Sequence, residues 1–113
     1  MPLEDRRTLR SDRLPGALTF LLHACRDRGR FDALVVSDDA GLLVAHASPL
    51  DLDVEEIAAA LPDTARRRKI GELRTTRFFV DEQIVYVGAI GGDRDAMCEV
   101  DAAVRGVQRI FAE

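Results

Sequence analysis

Phe31-Asp32-Ala33-Leu34-Val35-Val36-Ser37-Asp38-Asp39-Ala40-Gly41-Leu42-Leu43-Val44-Ala45-His46 is the stretch that decides the fold. Ala33 to Val36 are consecutive apolar residues that end in two β-branched valines, the pattern of a strand covered on both faces. Asp38-Asp39-Ala40-Gly41 is turn chemistry: an aspartate can bond the amides that follow it, and glycine accepts a positive φ. Leu42 to His46 then returns as a second strand, so the stretch is predicted to form a hairpin.

On the N-terminal side, Leu14, Leu18, Leu21, Leu22 and Cys25 form one apolar stripe at helical spacing. Ser11 or Asp12 is placed to cap this helix, and Pro15 falls within its first turn. Arg26, Arg28 and Arg30 gather near its end, where the helix dipole favours positive charge, and Gly29 is a natural stop. Residues 1–10 read as a polar tail, and 11–113 as one domain.

On the C-terminal side, a loop containing Pro49 leads to Asp53, with Glu56 three residues on, in the manner of a capping box. Val54, Ile57, Ala58 and Leu61 form one helical face, Ala59 and Ala60 widen it, and Pro62 should end it. Ala65 to Lys69 can form a further short helical turn. Glu72 to Val80 and Ile84 to Ile90 read as two strands joined by Asp81-Glu82-Gln83, the second being the most apolar and therefore central. Gly91-Gly92 breaks it, and Asp93 is placed to cap the last helix. There Met97, Val100, Val104, Val107, Ile110 and Phe111 make the buried stripe. The order α-β-β-α-β-β-α predicts an α/β (α+β) fold: a single, mainly antiparallel sheet of four to five strands with helices on both faces, on a profilin-like plan.

With the strands and their D-x-x-G-L turn at Asp38 to Leu42 in place, and Glu55-Glu56-Ile57-Ala58-Ala59-Ala60-Leu61 behind them, the chain resembles roadblock-type dynein light chain domains from Leu14 to Phe111. This family is also found in bacteria beside small Ras-like GTPases. The resemblance implies a roadblock fold, dimerisation, and a scaffold or regulatory role at a small GTPase or another roadblock protein. The family has a longer middle helix and five strands. Here Pro62 interrupts the helix, and Leu61 to Ile90 has room for two long strands.

Composition bounds the function. The chain has 113 residues, the size of one domain, and is 47% hydrophobic, enough for a core without metal or disulfide support. No apolar run approaches the ~18 residues of a membrane span, and Met1 to Arg13 lacks the apolar stretch of a secretory signal, so a cytoplasmic location is expected. A net charge of −4 argues against nucleic acid as partner. Cys25 and Cys98 stand apart, as reduced thiols do in the cytoplasm.

No catalytic, cofactor or metal site is expected. There is no phosphate-loop motif, and Asp93 and Asp95 would repel a phosphate at the strand-to-helix turn after Ile90. His23 and Cys25 diverge on a helix, unlike paired zinc ligands. Neither serine nor cysteine has a nucleophile's sequence context.

The candidate sites are therefore surfaces. Ile57, Ala58, Ala59, Ala60 and Leu61 are candidates for a dimer contact, because small apolar residues let two helices approach closely. Phe31, Asp32 and Leu34 are candidates for partner binding, since aromatic anchors dominate interfaces. From Phe31 to Ala65 every charged residue is acidic, and Arg66, Arg67, Arg68 and Lys69 follow at once. Those arginines are candidates for contact with an acidic surface, including that of a second copy. The expected partner is a second copy or another roadblock protein, with a small Ras-like GTPase complex beyond it. The other architecture-level reading is a small-ligand sensor of profilin-like or GAF-like plan, which requires a cavity with converging polar groups.

Overall fold

The computed structural model describes residues 13–93 and 96–112. The tail at 1–10, the Ser11–Asp12 helix start and Asp95 lie outside them. The elements are α1 (Arg13–Gly29), β1 (Phe31–Asp38), β2 (Leu43–Ala47), α2 (Val54–Ala60), α3 (Thr64–Arg67), β3 (Leu73–Val80), β4 (Gln83–Gly91) and α4 (Met97–Ala112). The four strands form one antiparallel sheet in the order β2-β1-β4-β3. The predicted order of elements holds, with four strands.

β1 and β4 occupy the middle because they are the strands whose residues are apolar on both faces. Ala33 to Ser37 and Val85 to Ala89 are all buried. The β1–β2 turn closes as its residues dictate. Asp38 Oδ1 accepts from the amides of Ala40 and Leu42, at 3.0 and 2.9 Å, and Gly41 takes φ +82°.

Antiparallel register sorts the side chains into two layers. Leu34, Val36, Ala45, Ala47, Phe78, Val80, Val85, Val87 and Ala89 belong to the core closed by α1 and α4, with Leu18, Leu22, Cys25, Val100, Ala103 and Val107. On the other face Val35 and Tyr86 pack with Ile57, Ala58 and Leu61 of α2. Asp53 caps α2, accepting from the Glu56 amide at 3.1 Å, and Asp63 caps α3. The helix stops at Ala60, ahead of Pro62 as expected. Consequently α2 lies over β1 and β2, and only Leu61 at its end reaches Gly88 of β4 and Leu73 at the start of β3.

The two sheet edges differ. β2 is short, and its pairing with β1 is broken by a register shift between Val36 and Ser37. β3 has eight residues in continuous register with β4 and no neighbour on its outer side among the described residues. Gln108 of α4 donates to the carbonyl of Phe79 near the end of that strand, at 3.0 Å.

Candidate interaction surface

Burial divides the candidate residues. Of the α2 set, Ile57, Ala58, Ala60 and Leu61 are buried and Ala59 is half-buried. The alanine-rich side, expected to be exposed for a second subunit, is used within the chain: Gly41 of the β1–β2 turn packs directly against the backbone of Ala59. The exposed side of α2 carries Glu55 and Glu56.

Phe31 and Leu34 are likewise core residues. Phe31 is 4% exposed, its ring wedged against Gly29 and Gly92 with the Arg74 guanidinium 5.9 Å above it. Arg74 also donates to the Gly91 carbonyl, which fastens β3 across the end of β4. A ring held in this way is not available as an exposed anchor. Asp32 is exposed, and its backbone carbonyl accepts from Arg26 Nε at 3.1 Å.

The arginine cluster is split by function. Arg66 and Arg68 are exposed, whereas Arg67 is half-buried and turned inward. Arg67 Nη1 donates to the carbonyl of Leu61 and Nη2 to Thr64 Oγ1, the latter at 3.0 Å. It thereby closes the C-terminal end of α2, where an unsatisfied carbonyl and the helix dipole both favour a cation.

Sequence reasoning missed the surface beside it. Pro62, Thr64 and Arg67 from the α2–α3 segment face Thr75 and Arg77 of β3 and Tyr86 of β4 across a half-open cleft of about 310 Å³. Alternation along Thr75-Thr76-Arg77 was the available signal, because polar residues two apart on a strand mark a face that is not sealed. On the same face Phe79 is 55% exposed. Outside this region, His46 Nδ1 lies 2.8 Å from Ser48 Oγ at the end of β2. Among the described residues no three histidine, cysteine or acidic side chains gather as a metal site would require. Cys25 is buried and Cys98 exposed, and they are not bridged.

No family model matches the chain, and no curated protein matches it in sequence. Solved structures do match. The gliding protein MglB of Thermus thermophilus superposes with a TM-score of 0.65 at 11% identity, over 87% of this chain and 90% of that one. The fold is the roadblock fold. MglB of Myxococcus xanthus superposes with a TM-score of 0.59 at 12% identity, over 84% of this chain and 94% of that one. The roadblock plan is thus shared nearly end to end although roughly nine residues in ten differ. What is kept is the placement of helices on the two faces of an antiparallel sheet.

Proposed function

We propose that the chain is a non-enzymatic, dimeric adaptor or regulator. It binds another roadblock-domain protein, a small Ras-like GTPase module, or both, in the control of bacterial polarity or motility. The observation that carries this reading is the roadblock fold shared with two MglB proteins, one of them described as a gliding protein. Fold alone does not fix function. The surface adds to it: a long β3 without an outer neighbour among the described residues, Phe79 exposed on that strand, and charge segregated along the α2–α3 segment. Glu55 and Glu56 stand at the start of α2 and Arg66 and Arg68 at the end of α3, so two such segments running antiparallel about a two-fold axis match opposite charges twice.

Velocity sedimentation at micromolar concentration, alone and with roadblock and GTPase proteins of the source cell, tests the reading. A homodimer, or a monomer that forms a defined complex with one of them, is the expected result. A strict monomer that binds none of them overturns it.

The small-ligand sensor has one observation in its favour, the cleft between α3 and the β3–β4 face. Its walls are polar and it is half open. It therefore fits a small polar ligand at the surface of an adaptor better than an enclosed apolar sensor ligand.

A further inference from the structure

We propose that the cleft between α3 and the β3–β4 face is a binding site for a phosphoryl group. Such a site stands independently of the adaptor reading.

Chain geometry brings the donors together. Thr75 and Arg77 lie two apart on β3 and share a face, and Tyr86 stands directly across from Arg77 in the β3–β4 register. Thr64 and Arg67 lie three apart on α3, which places them on one side of that helical turn. With Pro62, these five residues line one cleft of about 310 Å³. Two of them carry guanidinium groups and three carry hydroxyls, and no carboxylate lines the cleft among the described residues. The nearest acidic residue in sequence, Asp63, turns its carboxylate to the amides of Ala65 and Arg66, at 3.0 and 3.2 Å. Neither Arg67 nor Arg77 has an ion-pair partner among the described residues.

The donors are also prepared for a ligand. Leu61 and Thr64 hold the Arg67 guanidinium in place and use two of its five N–H groups, leaving the others to donate. Thr64 Oγ1 accepts from Arg67, so its own proton is left for an acceptor in the cleft. Thr75 Oγ1 is buried with no hydrogen-bond partner, a state that carries a desolvation cost, and a turn of its side chain about χ1 is needed before it can donate to a ligand. A carboxylate offers two oxygens to this set, whereas a phosphoryl group offers three on a tetrahedral centre, which suits donors converging from a helix and a sheet. Exposed Arg66, Arg68 and Lys69 add positive potential at the same end of the molecule and favour capture of an anion.

Amide chemical shifts of the full chain, followed by NMR during titration at constant ionic strength with inorganic phosphate, O-phosphoserine and succinate, test the proposal. The expected result is saturable shifts at Thr64, Arg67, Thr75, Arg77 and Tyr86 with both phosphates, and weaker binding of succinate. Arg77 is exposed, and its side chain makes no hydrogen bond or ion pair among the described residues, so Arg77→Gln should leave the spectrum folded. It should weaken phosphate binding by about tenfold, the loss of one charged hydrogen bond. Arg105→Gln, on the outer side of α4, should not change it. Non-saturating shifts that spread over the exposed arginines and are indifferent to Arg77→Gln overturn the proposal. So does succinate binding as tightly as phosphate. Failure of phosphate to bind because a second copy fills the cleft with its own acidic side chain also overturns it, and sedimentation of the same samples identifies that case.

Discussion

Leu61 sits on Gly88: a Cβ at position 88 would lie 2.6 Å from one Leu61 methyl and 3.3 Å from the other. The residue that caps α2 is therefore seated on a position in the middle of β4 that has no side chain. Leu61 is fully buried and Leu73 closes the same spot at 3.2 Å, so the methyls have nowhere to retreat. Gly88→Ala should cost about 1–3 kcal/mol by overpacking. Urea denaturation should show the lower midpoint, and an unchanged midpoint would mean that α2 can lift off the sheet freely.

The β3–β4 hairpin is closed by two residues, Asp81 and Glu82, with φ of 49° and 70°. That is the backbone of a type I′ turn, which Asn-Gly serves best. Glu82→Gly relieves a left-handed strain of about 1–3 kcal/mol against a glycine entropy cost of about 0.5–1 kcal/mol. The variant should unfold at a higher temperature by a few degrees, measured by calorimetry.

Ala60 is 1% exposed. Ala60→Glu should bury an unpaired carboxylate and destabilise the monomer by several kcal/mol, rather than act selectively on an interface. Circular dichroism of the variant should show early unfolding. Glu55 and Glu56 are exposed, so reversing them to lysine tests the association surface of α2 with the fold preserved.

Arg66 and Arg68 are exposed while Arg67 binds Leu61 and Thr64. Reversing the two exposed arginines to glutamate should weaken self-association or partner binding at low salt, with little change in melting temperature. The difference from wild type should shrink as salt rises, because exposed charges are screened beyond ~10 Å at 0.1 M. Equal affinities at low salt would assign these arginines to solvent alone.

Burial pushes the Cys25 thiol up, and the Arg28 guanidinium beside it opposes this only in part. The folded state therefore favours the neutral thiol. The stability linked to it is complete below the ordinary thiol pKa and is lost as pH rises from there through the raised one. Iodoacetamide near neutral pH should modify exposed Cys98 first. Cys25 should react only as fast as the domain opens, which mass spectrometry of timed samples would report.

Much of this architecture is legible in the residues. The apolar run from Ala33 to Val36 marks an interior strand, Asp38 and Gly41 mark the turn, and Asp53 and Pro62 bracket α2. The interaction surface is less legible. Ala59 and Ala60 look like an exposed helical contact because a sequence does not reveal that the Gly41 turn will close on Ala59 and that Ala60 will be buried within the chain. Phe31 looks like an anchor because the glycines that receive it, Gly29 and Gly92, are local on one side and far along the chain on the other. The cleft is least visible of all. It depends on α2 ending short of β3, and that becomes apparent only when helix length is measured against sheet width.

The inequality of the sheet edges sets a limit on growth. An exposed strand edge invites another chain, and a molecule with two equivalent edges can recruit copies without end. Here the β2 edge is short and irregular, while β3 is long and regular. If two copies join β3 to β3, the contact is self-complementary and uses up the good edge of both. What remains outside is a pair of poor templates. Such an assembly stops at two, and polymerisation into fibres is blocked by the shape of the strand on the far side of the sheet.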